Sequence, residues 1–145
     1  MPNHCTNTLT ITGDPKTIEK LTEINFEFEK ILSEPNDLSG DDLLDWRTMH
    51  WGTKWNAFDI VVLAKGPKGL HVRFTTAWSP PVGILRTLLH DYPDLWIKCE
   101  WKEEGGYAGV WVGHGRNPGT GEPPEIRHFE WEDLCLEEAA EAFGS

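Results

Sequence analysis

The sequence predicts a single α+β domain in which helices cover an antiparallel β-sheet mainly on one face. Short segments that alternate polar and apolar residues recur along the chain, and segments with apolar residues at helical spacing separate them. The length of 145 residues falls in the range of one domain, and eight Trp and six Phe can fill one core.

The first half of the chain begins with a strand signal. Residues 6–12 alternate polar and apolar side chains, which predicts a half-buried strand. Asp14 followed by Pro15 predicts the start of a short helix, because proline at the first helical position loses no hydrogen bond. Residues 25–32 suit both a strand and a helix, and we favour a short extended segment. Residues 41–47 start with acids and predict a second helix.

The second half of the chain predicts a hairpin, a helix and two strands. Residues 58–64 and 70–77 are rich in β-branched residues, and a Gly- and Pro-containing turn joins them. Ser79 is placed to cap a third helix that Tyr92 and Pro93 end. Two further strands are predicted over residues 95–101 and 108–113. This order of elements is close to a split βαβ arrangement, the ferredoxin-like fold.

We interpret the chain as one domain with three parts. Residues 1–113 form the ferredoxin-like core, residues 114–124 are a Gly- and Pro-rich loop, and residues 125–145 are an acidic extension. Apolar residues at helical spacing from Trp131 to Phe143 predict an acidic C-terminal helix in this extension.

The net charge of −11 argues against tight binding to nucleic acid through a broad basic surface. Residues 14–45 contain ten acids and three bases, and residues 122–145 contain eight acids and one arginine. These acidic flanks could face a basic partner, or they could serve only solubility, and the sequence leaves both interpretations open.

The N-terminal residues and the cysteines indicate in which cellular compartment the protein works and whether it binds a cofactor. The N-terminal residues lack the pattern of a signal peptide, and no apolar segment approaches the ~20 residues that span a bilayer, so we expect a cytoplasmic protein without membrane contact. The three cysteines, Cys5, Cys99 and Cys135, form no Cys-x-x-Cys pair, and the histidines lack metal-ligand spacing. We therefore expect reduced thiols and no metal or other cofactor.

Four segments, residues 1–13, 51–57, 76–81 and 106–109, resemble the YubB-type ferredoxin-like family known from phages and plasmids. The resemblance covers roughly residues 1–112. His4 stands where the family usually has an aromatic residue, and the chain after Gly113 is longer than the usual final hairpin. The resemblance implies a ferredoxin-like shape without iron, an origin in a mobile element, and no settled activity.

Two of these segments contain candidate binding residues. In residues 51–56, hydrogen-bond donors stand beside aromatic faces, which suits a phosphate, a base or a partner's side chains, although the tryptophans could instead pin a turn into the core. The helix start after Trp78 could bind an anion, or Ser79 could serve only as its cap. We expect the two segments to lie near each other. The candidate residues are Thr53, Lys54, Trp55, Asn56, Trp78, Ser79 and Tyr107.

No motif in the sequence indicates catalysis. His4 and Cys5 are adjacent, but consecutive side chains of a strand point to opposite faces, so they should not form a catalytic pair. The glycine-rich segment after Gly113 leads into prolines rather than a helix, so it is not a phosphate-binding loop. We predict no catalytic residue, and an enzyme has no support.

The first functional hypothesis is a non-enzymatic binding protein of phage or plasmid origin that attaches to a host protein. It would be an acidic inhibitor of a defence or nucleic-acid-handling complex, of the anti-CRISPR or anti-restriction type, acting as a DNA mimic. Its predicted acidic surface contains Asp41, Asp42, Asp45, Glu130, Glu132, Asp133, Glu137 and Glu138.

The alternative hypothesis is a site for a nucleotide-like small ligand, with or without turnover. Its groove would be lined by Lys54, Trp55, Asn56, Trp78 and Tyr107. Direct binding of RNA or single-stranded DNA is a weaker third interpretation, because the acidic flanks would repel phosphate.

Overall fold

A computed structural model gives the architecture of the protein and describes residues 3–115 and 125–132. Six strands and four helices occur in these ranges. They are β1 His4–Thr12, α1 Pro15–Ile24, α2 Phe28–Ile31, α3 Gly40–His50, β2 Phe58–Gly66, β3 Gly69–Ala77, α4 Val82–Asp91, β4 Trp96–Glu103, β5 Tyr107–His114 and β6 Glu125–Glu132. No helix in the described ranges has the length and apolar character needed to cross a membrane.

The sheet has six strands in the order β2-β3-β1-β4-β5-β6, and all neighbouring strands are antiparallel. Strands β1 to β4 with α1 and α4 follow the βαββαβ order of the ferredoxin-like fold, and β5 and β6 extend the sheet beyond β4. The predicted fold class is therefore confirmed.

Strand β1 lies at the centre of the sheet and separates its two faces. Its odd-numbered side chains, from Cys5 to Ile11, are fully buried beneath the helices. Its even-numbered residues from Thr6 to Thr12 face the other side, where they are exposed or half-buried. The alternation seen in the sequence is thus the alternation of one covered and one open sheet face.

The core is built around large aromatic side chains. Trp51, Trp111, Phe28 and Phe74 are all at most 1% exposed. The ring of Phe28 packs edge-on against Trp51 at a centroid distance of 5.6 Å and against Phe74 at 5.9 Å. Segments far apart in sequence therefore share one core.

The segment after α1 differs from the sequence prediction. We expected residues 25–32 to be extended, but Phe28–Ile31 forms one helical turn. Asn25 and Phe26 have positive φ angles of 51° and 54°, so the chain reverses direction there. Both Phe26 and Phe28 are buried in the core after this reversal.

The C-terminal extension begins as a strand. We expected a helix to start at Trp131, but Trp131 lies in β6 and pairs with Ala108 of β5. Residues 133–143 of that predicted helix lie outside the described residues. The reason for the difference is that β5 offers an unpaired edge, and backbone pairing with that edge overrides a local helical pattern.

Candidate functional site

Two segments that the sequence singles out lie in direct contact at the start of α4. We call residues 51–53 together with residues 76–83 the joint. Within it, the Ser79 hydroxyl donates a hydrogen bond to the Gly52 carbonyl at 2.5 Å. The buried Thr53 hydroxyl donates to the Ala77 carbonyl at 2.7 Å and accepts the Ala77 N–H at 3.1 Å. The expected proximity of the two segments is confirmed.

The start of α4 is closed by backbone groups rather than by a side chain. Position Pro81 is the N-cap, so the predicted capping role of Ser79 is wrong. The Trp51 carbonyl accepts N–H bonds from Gly83 at 3.1 Å and Ile84 at 3.3 Å. Since these first N–H groups already have protein partners, this helix start offers no anion site.

A pocket of about 280 Å³ opens beside the joint. The side chain of Trp78 is 46% exposed at this pocket. The Lys54 ammonium lies 5.7 Å from the centroid of the Trp78 ring, within the range of a cation–π contact. The lining residues are Thr48, Thr53, Lys54, Ala77, Trp78 and Ser79.

Trp78 adopts an uncommon backbone conformation, with φ at 68°. A residue with a Cβ in the left-handed region costs about 1–2 kcal/mol. The conformation is held because the Trp78 N–H donates to the Asn3 carbonyl at 2.8 Å, while hydrogen bonds of the joint fix both neighbours of Trp78. The result is a large aromatic side chain kept in solvent instead of the core.

Three of the predicted binding residues do not line this pocket. The Trp55 ring is half-buried and packs near Phe58 at 6.3 Å. The Asn56 side-chain oxygen accepts the N–H groups of Phe28 and Ala57, which is a structural role. Tyr107 is 58% exposed but starts β5, three strand spacings or about 14 Å from β3. The groove expected from the sequence is therefore reduced to Thr53, Lys54, Trp78 and Ser79.

The predicted acidic surface is divided by the fold. Asp41, Asp42 and Asp45 are exposed on α3, while Glu130 is exposed on β6, an edge strand of the sheet. Glu132 is the last residue of β6. The remaining predicted members, Asp133, Glu137 and Glu138, lie outside the described residues.

Helix α3 connects its acids to the pocket. Asp41, Asp45 and Thr48 are spaced at i, i+4 and i+7, which places them on one helix face. Thr48 lines the pocket, so this face leads from the acids to the pocket edge. Our interpretation of the sequence missed Thr48, although its spacing from the two aspartates was a signal that could have found it.

Neither cysteine among the described residues is placed to act as a catalytic nucleophile. His4 is exposed and Cys5 is fully buried, as expected for opposite faces of a strand. Burial raises the pKa of the Cys5 thiol to about 12, and burial also raises the pKa of Cys99. Neither thiol is ionised at neutral pH. No cluster of His, Cys, Asp and Glu suited to a metal ion occurs within residues 3–115 and 125–132.

The fold defines a ferredoxin-like α+β protein whose sheet is extended to six strands. A family model described as the ferredoxin-like domain in Api92-like protein matches residues 47–139. Because this match covers more than half of the chain, the protein belongs to that family. The matched segment includes every residue that lines the pocket.

A solved structure is also similar to the chain. It is the crystal structure of the protein api92 from Yersinia pseudotuberculosis, with 17% sequence identity and a TM-score of 0.46. The similarity covers 63% of this chain and 32% of that chain, so the matched region is about a third of the length of the Yersinia protein. No curated protein matches the sequence.

Proposed function

We propose that this protein is a non-enzymatic binding protein of phage or plasmid origin that attaches to a basic host protein in the bacterial cytoplasm. The partner would handle nucleic acid, and binding would inhibit it, as in anti-CRISPR or anti-restriction proteins. The observation that carries the proposal is the exposed Trp78 at a pocket reached by the acidic face of α3. The origin rests on the resemblance of four segments to the YubB-type family.

The pocket has the features of an anchor for a partner side chain. Residues that dominate binding energy at protein interfaces are often tryptophans at the edge of a small pocket with a polar rim. A volume of about 280 Å³ lies just below the range for small-molecule sites, which is about 300–1,000 Å³. One apolar side chain of a partner therefore suits this pocket better than a whole nucleotide.

The acids of α3 supply the charge that a basic partner would meet. Asp41 and Asp45 lie on the same helix face as the pocket-lining Thr48. Residues 14–45 as a whole contain ten acids and three bases, which favours fast association with a positively charged surface. The same charges disfavour direct contact with nucleic acid.

The first experiment compares two tryptophans of similar exposure. Trp78→Ala removes the proposed anchor, and Trp131→Ala is the matched control, because Trp131 is 49% exposed on β6. The immobilised protein is used to capture its partner from a bacterial lysate at low salt, and the captured protein is then purified and titrated by calorimetry. We expect Trp78→Ala to weaken binding at least ten-fold, a typical loss for an anchor residue, and Trp131→Ala to leave it unchanged.

The second experiment tests the charges with a matched set. Asp41→Asn, Asp42→Asn and Asp45→Asn are combined in one variant, and Glu19→Gln, Glu23→Gln and Asp91→Asn are combined in another with the same change in net charge. The α3 variant should bind more slowly and show a weaker salt dependence than the control set. Equal effects of the two sets, or equal effects of the two tryptophan variants, would reject this surface as the binding site.

The second candidate function is the binding of a nucleotide-like ligand, and the Lys54 and Trp78 pair favours it. The ammonium lies 5.7 Å from the indole centroid, and a cation beside an aromatic face suits a planar anionic ligand. Titration of common nucleotides should then quench tryptophan fluorescence in the parent protein and not in Trp78→Phe. A flat titration in the parent protein would remove this candidate.

A further inference from the structure

The open face of the sheet is basic, although the chain as a whole is acidic. The even-numbered residues of β1 lie on this face, and the strand registers assign the residues of β3 to β6 that lie beside them. On these five strands the face contains four bases and two acids, whereas the whole chain has a net charge of −11. The bases are Arg73, Lys98, Lys102 and Arg127, and the acids are Glu100 and Glu125.

Apolar side chains lie on the same face near the end of β6. Phe129 is 57% exposed and Trp131 is 49% exposed. They lie opposite Val110 and Ala108 of β5, so both rings belong to the open face. Exposed aromatic residues that lie next to one another mark a contact surface. The face thus combines an apolar end at β6 with a basic centre at β3, β1 and β4.

The sequence that follows β6 has the complementary composition. Residues 133–145 contain four acids and no base, and their larger apolar residues are two leucines and one phenylalanine. The acids are Asp133, Glu137, Glu138 and Glu141, and the apolar residues are Leu134, Leu136 and Phe143. Because β6 ends at Glu132, this segment starts directly beside Trp131.

The segment is long enough to reach the basic centre of the face. Strand β1 lies three strand spacings, or about 14 Å, from β6. A stretch of 13 residues spans about 20 Å as a helix and about 43 Å when extended. Strand β1 is therefore within reach of residues 133–145 in either conformation.

Arg73 marks the centre of the basic region. Its side chain is exposed, and it lies opposite Thr8 of β1. Lys98 and Arg127 form ion pairs of 3.3 and 3.0 Å with the two acids of the same face. Arg73 has no ion pair with an acid in residues 3–115 and 125–132, so it is the base that an incoming carboxylate would meet first.

We propose that residues 133–145 fold back over the open face of their own sheet. The acids of the segment then lie against the bases around Arg73, and its leucines and phenylalanine lie against Phe129 and Trp131. The acids of this segment are thereby engaged within the chain, and the acids of α3 remain for a basic partner.

The covalent attachment of the segment decides in favour of this occupant. A segment that starts at the edge of the face meets it at a roughly millimolar effective concentration. A separate acidic partner at micromolar concentration would need about a thousand-fold higher affinity to occupy the face equally. Individually weak surface ion pairs therefore suffice to hold the segment.

The first test uses Cys135, which belongs to the segment. Cys5 and Cys99 are buried, so a nitroxide reagent should label Cys135 alone in the folded full chain. Paramagnetic broadening of backbone amide signals then reports which residues lie near the segment. We expect stronger broadening at Thr8 and Lys98 on the sheet than at Glu19 on α1. A mixture of isotope-labelled protein without nitroxide and nitroxide-labelled protein without isotope should show no such broadening.

The second test reverses the central charge. Arg73→Glu should reduce the broadening at Thr8 by about two-fold or more, because the segment is then repelled. Lys16→Glu is the matched control, since it makes the same change in net charge at an exposed position of α1, and it should leave the broadening unchanged. Addition of Glu137→Lys and Glu138→Lys to Arg73→Glu should restore the broadening, because opposite charges face each other again.

The amide spectrum of each variant also shows whether it is folded. If Arg73→Glu does not fold, the parent protein decides, since its broadening at Thr8 should fall when salt rises from about 0.05 to 0.5 M. The proposal is overturned if Glu19 broadens as much as Thr8, or if Arg73→Glu and Lys16→Glu act equally. Broadening in the mixed sample would also overturn it, because the segment would then lie on a second copy.

Discussion

Thr53 shows how one buried hydroxyl can hold the two motif segments together. Its side chain is 1% exposed, and its hydroxyl bonds both the N–H and the carbonyl of Ala77. The Ala77 carbonyl also accepts the Ser79 N–H at 2.8 Å, so the Ala77 N–H is the group that depends on Thr53. The position of Trp78, the next residue, follows from these bonds.

Substitution of Thr53 separates its polar role from its packing role. Thr53→Val keeps the shape but leaves the buried Ala77 N–H without a partner, and we expect the free energy of unfolding to fall by about 2 kcal/mol. Thr53→Ser keeps the hydroxyl and loses one methyl group, with an expected loss of about 1 kcal/mol. Urea unfolding measures both values. If Thr53→Val lost less unfolding free energy than Thr53→Ser, the hydroxyl would be dispensable for stability.

The two described cysteines, Cys5 and Cys99, are buried beside Asn7, whose side-chain oxygen accepts weak bonds from both thiols at 3.8 and 3.7 Å. We expect neither thiol to react with Ellman's reagent at pH 8 in the folded protein, in a Cys135→Ser background that leaves only these two cysteines. Both should react after unfolding in guanidinium. Fast reaction of either thiol under native conditions would contradict their burial.

The same burial predicts a loss of stability at alkaline pH. The Cys5 thiol has an ordinary pKa of 9.0, and burial raises its pKa to about 12 in the folded state. The folded protein therefore keeps this proton while the unfolded chain loses it, so the contribution to stability is complete below pH 9 and falls between pH 9 and about 12. Chemical unfolding over this range should show a smaller alkaline loss for Cys5→Ala than for the parent.

At the scale of elements, the contact between α3 and α4 determines where the pocket lies. Gly83 in the first turn of α4 is so close to the end of α3 that an added Cβ would lie 1.8 Å from the His50 carbonyl oxygen. Gly52 has a φ of 88°, and a Cβ there would lie 2.7 Å from the Val82 nitrogen. Only glycine allows the two helix ends to approach in this way.

A methyl group at Gly83 should force α3 and α4 apart. We expect Gly83→Ala to lower the free energy of unfolding by about 3 kcal/mol, the upper part of the range for overpacking. Gly66→Ala is the control, because its Cβ would meet no atom within 4 Å, and its effect should stay below about 1 kcal/mol. Thermal unfolding measures both. If the two variants had equal melting temperatures, the close approach of the helices would be wrong.

Strand β6 is an element that the local sequence pattern did not predict. Its pairing with β5 runs from Tyr107 opposite Glu132 to His114 opposite Glu125. The Trp101 indole N–H donates to His128 Nε2 at 3.1 Å, which links β6 to β4 across β5. The acidic extension therefore begins as part of the sheet.

For the whole molecule, the strand order predicts a gradient of stability. Strand β1 pairs with β3 and β4 over nearly its whole length, whereas β2 is an edge strand with two register shifts. Hydrogen exchange followed by mass spectrometry should show the slowest exchange in β1 and faster exchange in β2 at low protein concentration. Equal protection of the two strands under those conditions would contradict the gradient.

Local signals in the sequence predicted most of the fold. The alternation in residues 6–12, the Asp14 and Pro15 helix start, and the turn between β2 and β3 each depend on neighbours within a few residues. For the same reason the prediction at Ser79 was wrong, because its hydroxyl bonds Gly52, which is 27 residues away. Local patterns contain no information about partners at that distance.

The sequence by itself determined the alternation of strands and helices and the concentration of acids in residues 14–45. It also identified residues 51–57 and 76–81 as the two segments that contain candidate binding residues. Only the tertiary structure decided that Lys54 and Trp78 share one pocket, that Asn56 and Tyr107 stay outside it, and that β6 follows β5. The physical reason is that a pattern along the chain reports the environment of each residue, whereas a site depends on which distant backbone groups find hydrogen-bond partners in the folded chain.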